Sequence, residues 1–273
     1  MLLNQAETKN CRIHSTAIVS ASARLGKNVE VGPYAIVGGD VVIGENTKIG
    51  PHAVIDGWTR IGKACMIYAA ASIGSEPQDR KFKNEKSYVV IGDNTHIREF
   101  VTIHRAIGVE QETRIGDSCL LLAYSQVAHN CLVGNHVILS NAVNLAGHVR
   151  VEDRVTIGGL AGVHQFVKIG RNAMIGGAAR VVQDVPPFIT VAGNPAKPAG
   201  LNTVGLIRSG INEETRRILK QAYKILYLAG LPFFQAVEAI EQGLPHHGEV
   251  RDFIQFLRSS ERGICRIAPR CNS

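Results

Sequence analysis

Aliphatic residues fall at every sixth position along most of this 273-residue chain. The series runs from Ile13, Val19 and Leu25 in unbroken phase to Ile73, resumes at Ile91, Ile97 and Ile103, and continues from Ile115 to Val181. Glycine often comes next, as at Gly26, Gly32, Gly44 and Gly116. Four positions after each aliphatic residue stands a mostly small or β-branched one, such as Ala35, Thr47 or Ala71. A period of six matches neither an amphipathic helix nor an alternating strand. It matches a short strand followed by a tight corner, and three such units make one turn of a triangular parallel β-helix. The aliphatic side chain points inward, the small residue fills the narrowing interior, and glycine relieves steric conflict at or near the corner. With coils stacked at the strand spacing of ~4.8 Å, the solenoid is a prism roughly 45 Å long.

Two segments interrupt the pattern without losing its phase. Residues 75–90 carry Asp79, Arg80, Lys81, Lys83, Glu85 and Lys86, too polar for an inward face, so this segment is a loop thrown out from one corner. Residues 106–113 make a shorter excursion of the same kind. The repeat ends at Asp184-Val-Pro-Pro187, where successive prolines cannot continue a ladder. Beyond it the spacing turns helical. Asn212 is an N-cap with Glu213 and Glu214 in the first turn, and Ile218, Leu219, Ala222, Ile225 and Leu226 follow at helical intervals. Phe233–Glu241 and Val250–Leu257 are two further helices, with Gly230 and Gly243 as stops. The expected architecture is an all-β solenoid plus α: a parallel β-helix over 1–190 and a C-terminal helical domain over 191–273 that caps its open end.

Composition narrows the picture. Aromatic content is 5% and there are 28 glycines, as many tight corners around an aliphatic core require. Residues 1–10 lack a basic segment followed by an apolar run, and no stretch approaches the roughly 18 apolar residues of a membrane span. The expectation is a cytoplasmic protein with no membrane span. The net charge of +7 comes from scattered residues, apart from a loose group at Arg258, Arg262, Arg266 and Arg270, which is read as a solvated basic surface rather than a nucleic-acid interface. Among six cysteines there is no C-x-x-C spacing; Cys65, Cys119 and Cys131 occupy the small-residue slot and are read as buried packing thiols.

An eighteen-residue coil turns sequence separation into stacking. His129, Gly147 and Gln165 are one coil apart and form a column on one edge, with His148 and His164 flanking it. Histidine is the natural general base near neutral pH. Three histidines could instead hold zinc with one position open.

The segments Ile97-Arg-Glu-Phe-Val-Thr-Ile-His-Arg105, Leu145-Ala-Gly-His148, Val163-His-Gln-Phe166 and Gln183-Asp-Val-Pro-Pro187 resemble the UDP-N-acetylglucosamine O-acyltransferase family, as does the order of solenoid, loop at 75–90 and helical domain. That resemblance implies a left-handed coil. It also implies transfer of an (R)-3-hydroxyacyl group from acyl carrier protein to the 3-hydroxyl of a UDP-amino sugar, the first committed step of lipid A synthesis. The carrier thioester is the co-substrate, no cofactor is needed, and the active sites lie between the subunits of a homotrimer. Carried onto this sequence, His129 matches the catalytic base and the Gly147 N–H the oxyanion donor. Asp79 matches a residue that binds the sugar or acyl hydroxyl, with Lys81 beside it. His148 and His164 match substrate-contacting histidines; Gln165, Asn202 and Arg208 match nucleotide contacts. Gly177 matches the position that measures acyl length, where the lack of a side chain implies a pocket open to a longer chain.

Four positions depart from the family's pattern: Asn130 stands where an Asp is frequent, Gln126 where a second His is common, and Val204 and Ser209 replace a Glu and an Arg near the nucleotide. Two alternatives therefore stay open, the same transfer to a 3-amino UDP-sugar and a zinc-dependent, carbonic anhydrase-like activity on the same solenoid.

Overall fold

Each aliphatic unit forms a strand, mostly of two residues, and the strands stack into three parallel sheets in a computed structural model that describes residues 10–245 and 248–266. Sheet A (eleven strands) starts at Arg12–Ile13, sheet B (nine) at Ile18–Val19 and sheet C (eight) at Arg24–Leu25. Pairing is in register at eighteen residues over the ordinary coils, as in Val127↔Leu145 and Val133↔Val151. The inward residues of all three sheets share one hydrophobic column from Leu25 to Val191, with Cys65, Cys119 and Cys131 buried in it. Each of these thiols donates to a carbonyl of the next coil, and burial pushes the Cys119 thiol up to about 11 and that of Cys131 to about 12.

Glycine relieves a steric conflict near the corner, and the conflict is with the next coil. The left-handed corner position is held by residues with side chains, among them Tyr34 (φ 58°), Asn130 (φ 58°) and His148 (φ 60°). The repeat's glycines come earlier in the corner, where coils touch. A Cβ at Gly26 would lie 2.6 Å from the Glu45 nitrogen, and one at Gly44 would lie 2.5 Å from the Gly62 carbonyl carbon. Coil stacking, not backbone conformation, excludes a side chain there.

Both excursions leave sheet B and re-enter sheet C. The first connects Ser72–Ser75 to Tyr88–Ile91, the second Thr102–His104 to Glu112–Ile115. One coil further on, the same corner joins Gln126–Val127 to Leu132–Val133 and contains His129. The loops and the histidine thus share one edge of the prism.

Sheet A runs on past residue 190, so a boundary there falls inside a strand. Ile189–Ala192 pairs with Met174–Ile175, and Lys197–Leu201 folds back antiparallel upon it. The prolines end the regular coil but not the ladder, since Pro186 and Pro187 precede the strand and Val185 still bridges to Ile169. The helices begin at α1 (Thr203–Arg208) and continue as α2 (Glu213–Leu228), α3 (Phe233–Gly243) and α4 (Gly248–Ser259). Asn212 caps α2 by accepting from the Thr215 N–H at 2.8 Å, and Gly230 adopts φ 71° beyond its end. Gly243 is the last residue of α3 rather than a stop beyond it. The helical part grips the last coils: Ser260 donates to Asp184 Oδ2 at 2.7 Å, and Arg171 pairs with Asp252.

Arg258, Arg262 and Arg266 are exposed, as a solvated basic surface requires, and each also makes a local contact. Arg258 pairs with Glu241, Arg262 donates to the Val182 carbonyl, and Arg266 lies over the Phe233 ring. Arg270 and residues 1–9, on which the absence of a leader was read, lie outside the described residues. Among the described residues no helix is long and apolar enough to cross a membrane.

Candidate active site

His129 is held by its neighbour. Asn130, at the left-handed corner, pairs its amide with both backbone groups of Ile107 in the second loop: Oδ1 accepts from the Ile107 N–H and Nδ2 donates to the Ile107 carbonyl, both at 3.0 Å. This pair of hydrogen bonds fixes which end of the amide is oxygen. Asn130 Oδ1 therefore faces His129 Nδ1 at 2.9 Å, so Nδ1 carries the proton and Nε2 the lone pair. The imidazole is 8% exposed, and its free Nε2 looks toward Asp79 Oδ2 at 3.7 Å.

Asp79 arrives from a loop rooted two coils away. It accepts the Lys81 N–H at 2.9 Å and its carbonyl accepts the Phe82 N–H, a tight turn that places Asp79 and Lys81 side by side. The loops brace each other, with Glu85 accepting from the Gly108 N–H at 2.8 Å and Ser87 donating to the Ala106 carbonyl.

The column is built as spaced. The His129 ring lies against Gly147, where a Cβ would come within 2.5 Å of its Cε1, so the next coil needs a glycine to admit the base. The Gly147 N–H meets no acceptor among the described residues. Gln165 follows one coil later. His148 sits edge-on to His129 at 5.2 Å between centroids and stacks on Phe166 at 4.8 Å. Its affinity for a proton is lowered by burial first and by His129 second, with Asp79 opposing. His148 and Asn130 also line a cavity of 590 Å³ against sheet C. A larger hollow of 710 Å³ lies on sheet A, away from the corner.

The remaining expected residues do not all join this cluster. His164 is exposed on the sheet B side, beside Gln126 in a 320 Å³ groove, and Arg262 donates to its Nδ1 at 2.9 Å. It ends a strand instead of lying on the corner, so the three histidines do not surround one point. Among the described residues no three His, Cys, Asp or Glu side chains group as a metal site. Gly177 stacks near Gly159 on the edge between sheets A and B. Asn202 caps α1 and donates to the Asn172 carbonyl on the edge between sheets C and A; Arg208 is exposed at the end of that helix. One supporting feature carried no local sequence signal: Asn130 is oriented by the backbone of Ile107.

The hexapeptide solenoid places the chain in the class of hexapeptide-repeat transferases. Residues 22–57 match the model of the bacterial transferase hexapeptide (six repeats), and residues 184–265 match domain 2 of Udp N-acetylglucosamine O-acyltransferase. An acyl-(acyl-carrier-protein)–UDP-N-acetylglucosamine O-acyltransferase of Halorhodospira halophila is 48% identical over 93% of this chain and 99% of its own length; one from Burkholderia lata shows the same identity and coverage. The solved UDP-N-acetylglucosamine acyltransferase of Francisella novicida superposes with a TM-score of 0.91 at 38% identity, covering 94% of this chain and 95% of that one. The Arabidopsis enzyme gives 0.82 at 35%, covering 93% and 99%. The chain belongs to the UDP-N-acetylglucosamine O-acyltransferase family, and its solenoid is the left-handed parallel β-helix of those structures.

Proposed function

We propose that this protein transfers an (R)-3-hydroxyacyl group from acyl carrier protein to the 3-hydroxyl of UDP-N-acetylglucosamine. The observation that carries the reading is the corner itself: a histidine whose Nε2 is free, beside a backbone N–H without an acceptor one coil above. His129 Nε2 takes the proton of the sugar hydroxyl as its oxygen attacks the thioester carbonyl. The Gly147 N–H receives the developing oxyanion, a fixed donor of a kind worth about 3 kcal/mol. Collapse expels the carrier's thiolate, which leaves with the proton from the imidazolium. No cofactor enters.

Asp79, Lys81 and His148 line the reacting end, with His164 along the sheet B groove. Gln165, Asn202 and Arg208 contact the nucleotide, and Gly177 bounds the acyl chain. In one chain these residues lie on three edges of the prism, so a site that uses them all needs more than one copy. That supports a homotrimer with sites between subunits.

Asn130 favours a second reading in which only the acceptor atom changes. An amide at Nδ1 gives the imidazolium no negative partner, which suits a 3-amino UDP-sugar whose nitrogen needs less help from the base. The test incubates the protein with carrier thioesters of several lengths and equal 3-hydroxy and 3-amino acceptors, followed by mass spectrometry. Thiol release that requires the nucleotide sugar, with an ester product, supports the first reading; an amide product supports the second. Thiol release that ignores the sugar sinks both.

A further inference from the structure

The dipeptide His104-Arg105 lies outside the reaction just described, yet it holds the loop that brings Asp79 to His129. His104 is 5% exposed at the end of a sheet B strand. Its Nδ1 is 2.9 Å from the Glu76 carbonyl, which can only accept, so Nδ1 carries the proton; Ser75 Oγ, at 3.2 Å, shares it. The other nitrogen, Nε2, is buried with no partner among the described residues. A proton there would create a buried cation, and burial accordingly lowers the imidazole's affinity for one. The donor arrangement is therefore the neutral one.

Arg105 acts on the far side of the same turn. Its N–H donates to the Ser75 carbonyl at 3.0 Å, while its guanidinium lies between the Trp58 ring at 5.4 Å and the Phe82 ring at 5.0 Å. The Asp79-Arg80-Lys81 turn is thus gripped just before it, at Glu76, and just after it, at Phe82.

We propose that His104 and Arg105 are positioning residues for substrate binding, setting the reach of the Asp79–Lys81 turn toward His129. The proposal rests on Asp79 being a substrate contact. His104→Leu removes the donor while keeping an apolar side chain; His104→Asn restores an N–H near the position of Nδ1. With steady-state thiol release as the assay, His104→Leu raises KM for the nucleotide sugar about tenfold and leaves kcat within about threefold. His104→Asn returns KM to within about threefold of the parent protein. In an Asp79→Ala background His104→Leu changes KM less than about twofold, because residues acting through one contact are not additive. Arg105→Lys, which keeps the charge but loses the planar stacking surface, repeats the pattern at about fivefold and carries the test if the leucine variant fails to fold. The proposal is overturned by a normal KM in both His104→Leu and Arg105→Lys, by asparagine performing as poorly as leucine, or by losses that multiply fully with Asp79→Ala. A normal KM in Asp79→Ala alone removes the role of Asp79 itself, and this proposal with it.

Discussion

Within one coil the same two slots are occupied by His129-Asn130 at the corner between sheets B and C and by Asn135-His136 at the corner between sheets C and A. Backbone conformation is shared, with Asn130 at φ 58° and His136 at φ 56°. The chemistry is opposite. At the second corner the N–H in this slot is closed in four successive coils by an oxygen from the next: Lys63 N–H donates to Asp93, Asp93 N–H to Asp117, Asp117 N–H to Asn135 and Asn135 N–H to Asp153, all at 2.7–2.8 Å. At the first corner that slot reads His129, Gly147, Gln165. No short carboxylate or amide reaches back, and the Gly147 N–H stays open. The candidate site thus differs from a purely structural corner by one omitted bond and by the imidazole that takes its space.

The largest expected effect separates the two histidines. His129→Ala lowers kcat/KM by about 10³-fold, within the range of a positioned general base, whereas His136→Ala stays within about twofold. Equal losses in the thiol-release assay would erase the distinction between the corners.

Glycine substitution comes next. At Gly147 an alanine Cβ would meet the His129 ring, displacing the base and disturbing the oxyanion donor together, for a loss of about 10²-fold in kcat. At Gly134 a Cβ would lie 2.4 Å from Asp153 Oδ1, so Gly134→Ala strains the closed ladder and lowers Tm, with kcat per folded molecule little changed. Paired thermal melts and kinetics on the two variants check the split.

A smaller shift is expected from Asn130→Asp. The carboxylate would stand at Nδ1 and give the imidazolium a negative partner where the amide gives none. The base must be neutral to act, so tighter proton binding moves the acid limb of the pH–kcat profile to higher pH, by about one unit. The same change forfeits the donor to the Ile107 carbonyl. An unmoved acid limb would show that His129 is not the titrating base.

The solenoid was legible because its core is one-dimensional: two fixed slots per six residues face inward, one aliphatic and one small, and counting by eighteen stacks Gly147 on His129 without any knowledge of long-range structure. Counting fails where the determinants are not periodic. Asp79 reaches His129 through a turn braced by a second loop, and Asn130 is oriented by the backbone of Ile107, whose side chain is irrelevant. His164 was grouped with the corner histidines by proximity in sequence, but a residue one slot earlier ends the strand and faces the sheet B groove. The short α1 went unread because six residues, one of them Gly205, carry too little periodicity. The steric role of glycine at the corner was legible, but its partner was not: the pattern shows where glycine recurs and not what a side chain there would touch.

The finest comparison concerns the residue after a corner pair: Cys131 follows His129-Asn130, and Cys119 follows Asp117-Ser118, the pair one coil before Asn135-His136. Cys131 donates its thiol to the Ala146 carbonyl at 3.1 Å, and Cys119 donates to the Gly134 carbonyl at the same distance. The peptide bonded by Cys131 is the one whose N–H belongs to Gly147; the peptide bonded by Cys119 carries the N–H of Asn135, already closed by Asp153. Burial pushes both thiols far above neutral pH, to about 12 and about 11, so neither is a nucleophile and each acts only as a weak donor. Replacing either by Ala therefore removes a buried bond and some packing, for about 1 kcal/mol of stability in both cases. Only at Cys131 does the freed carbonyl belong to the peptide proposed to hold the oxyanion. Cys131→Ala is expected to lower kcat about threefold with KM unchanged, and Cys119→Ala to leave kcat alone while lowering Tm equally. Matching kcat values in the two variants would mean that the orientation of the Ala146–Gly147 peptide is set by the coil alone, and that the two corners differ only in what their N–H groups meet.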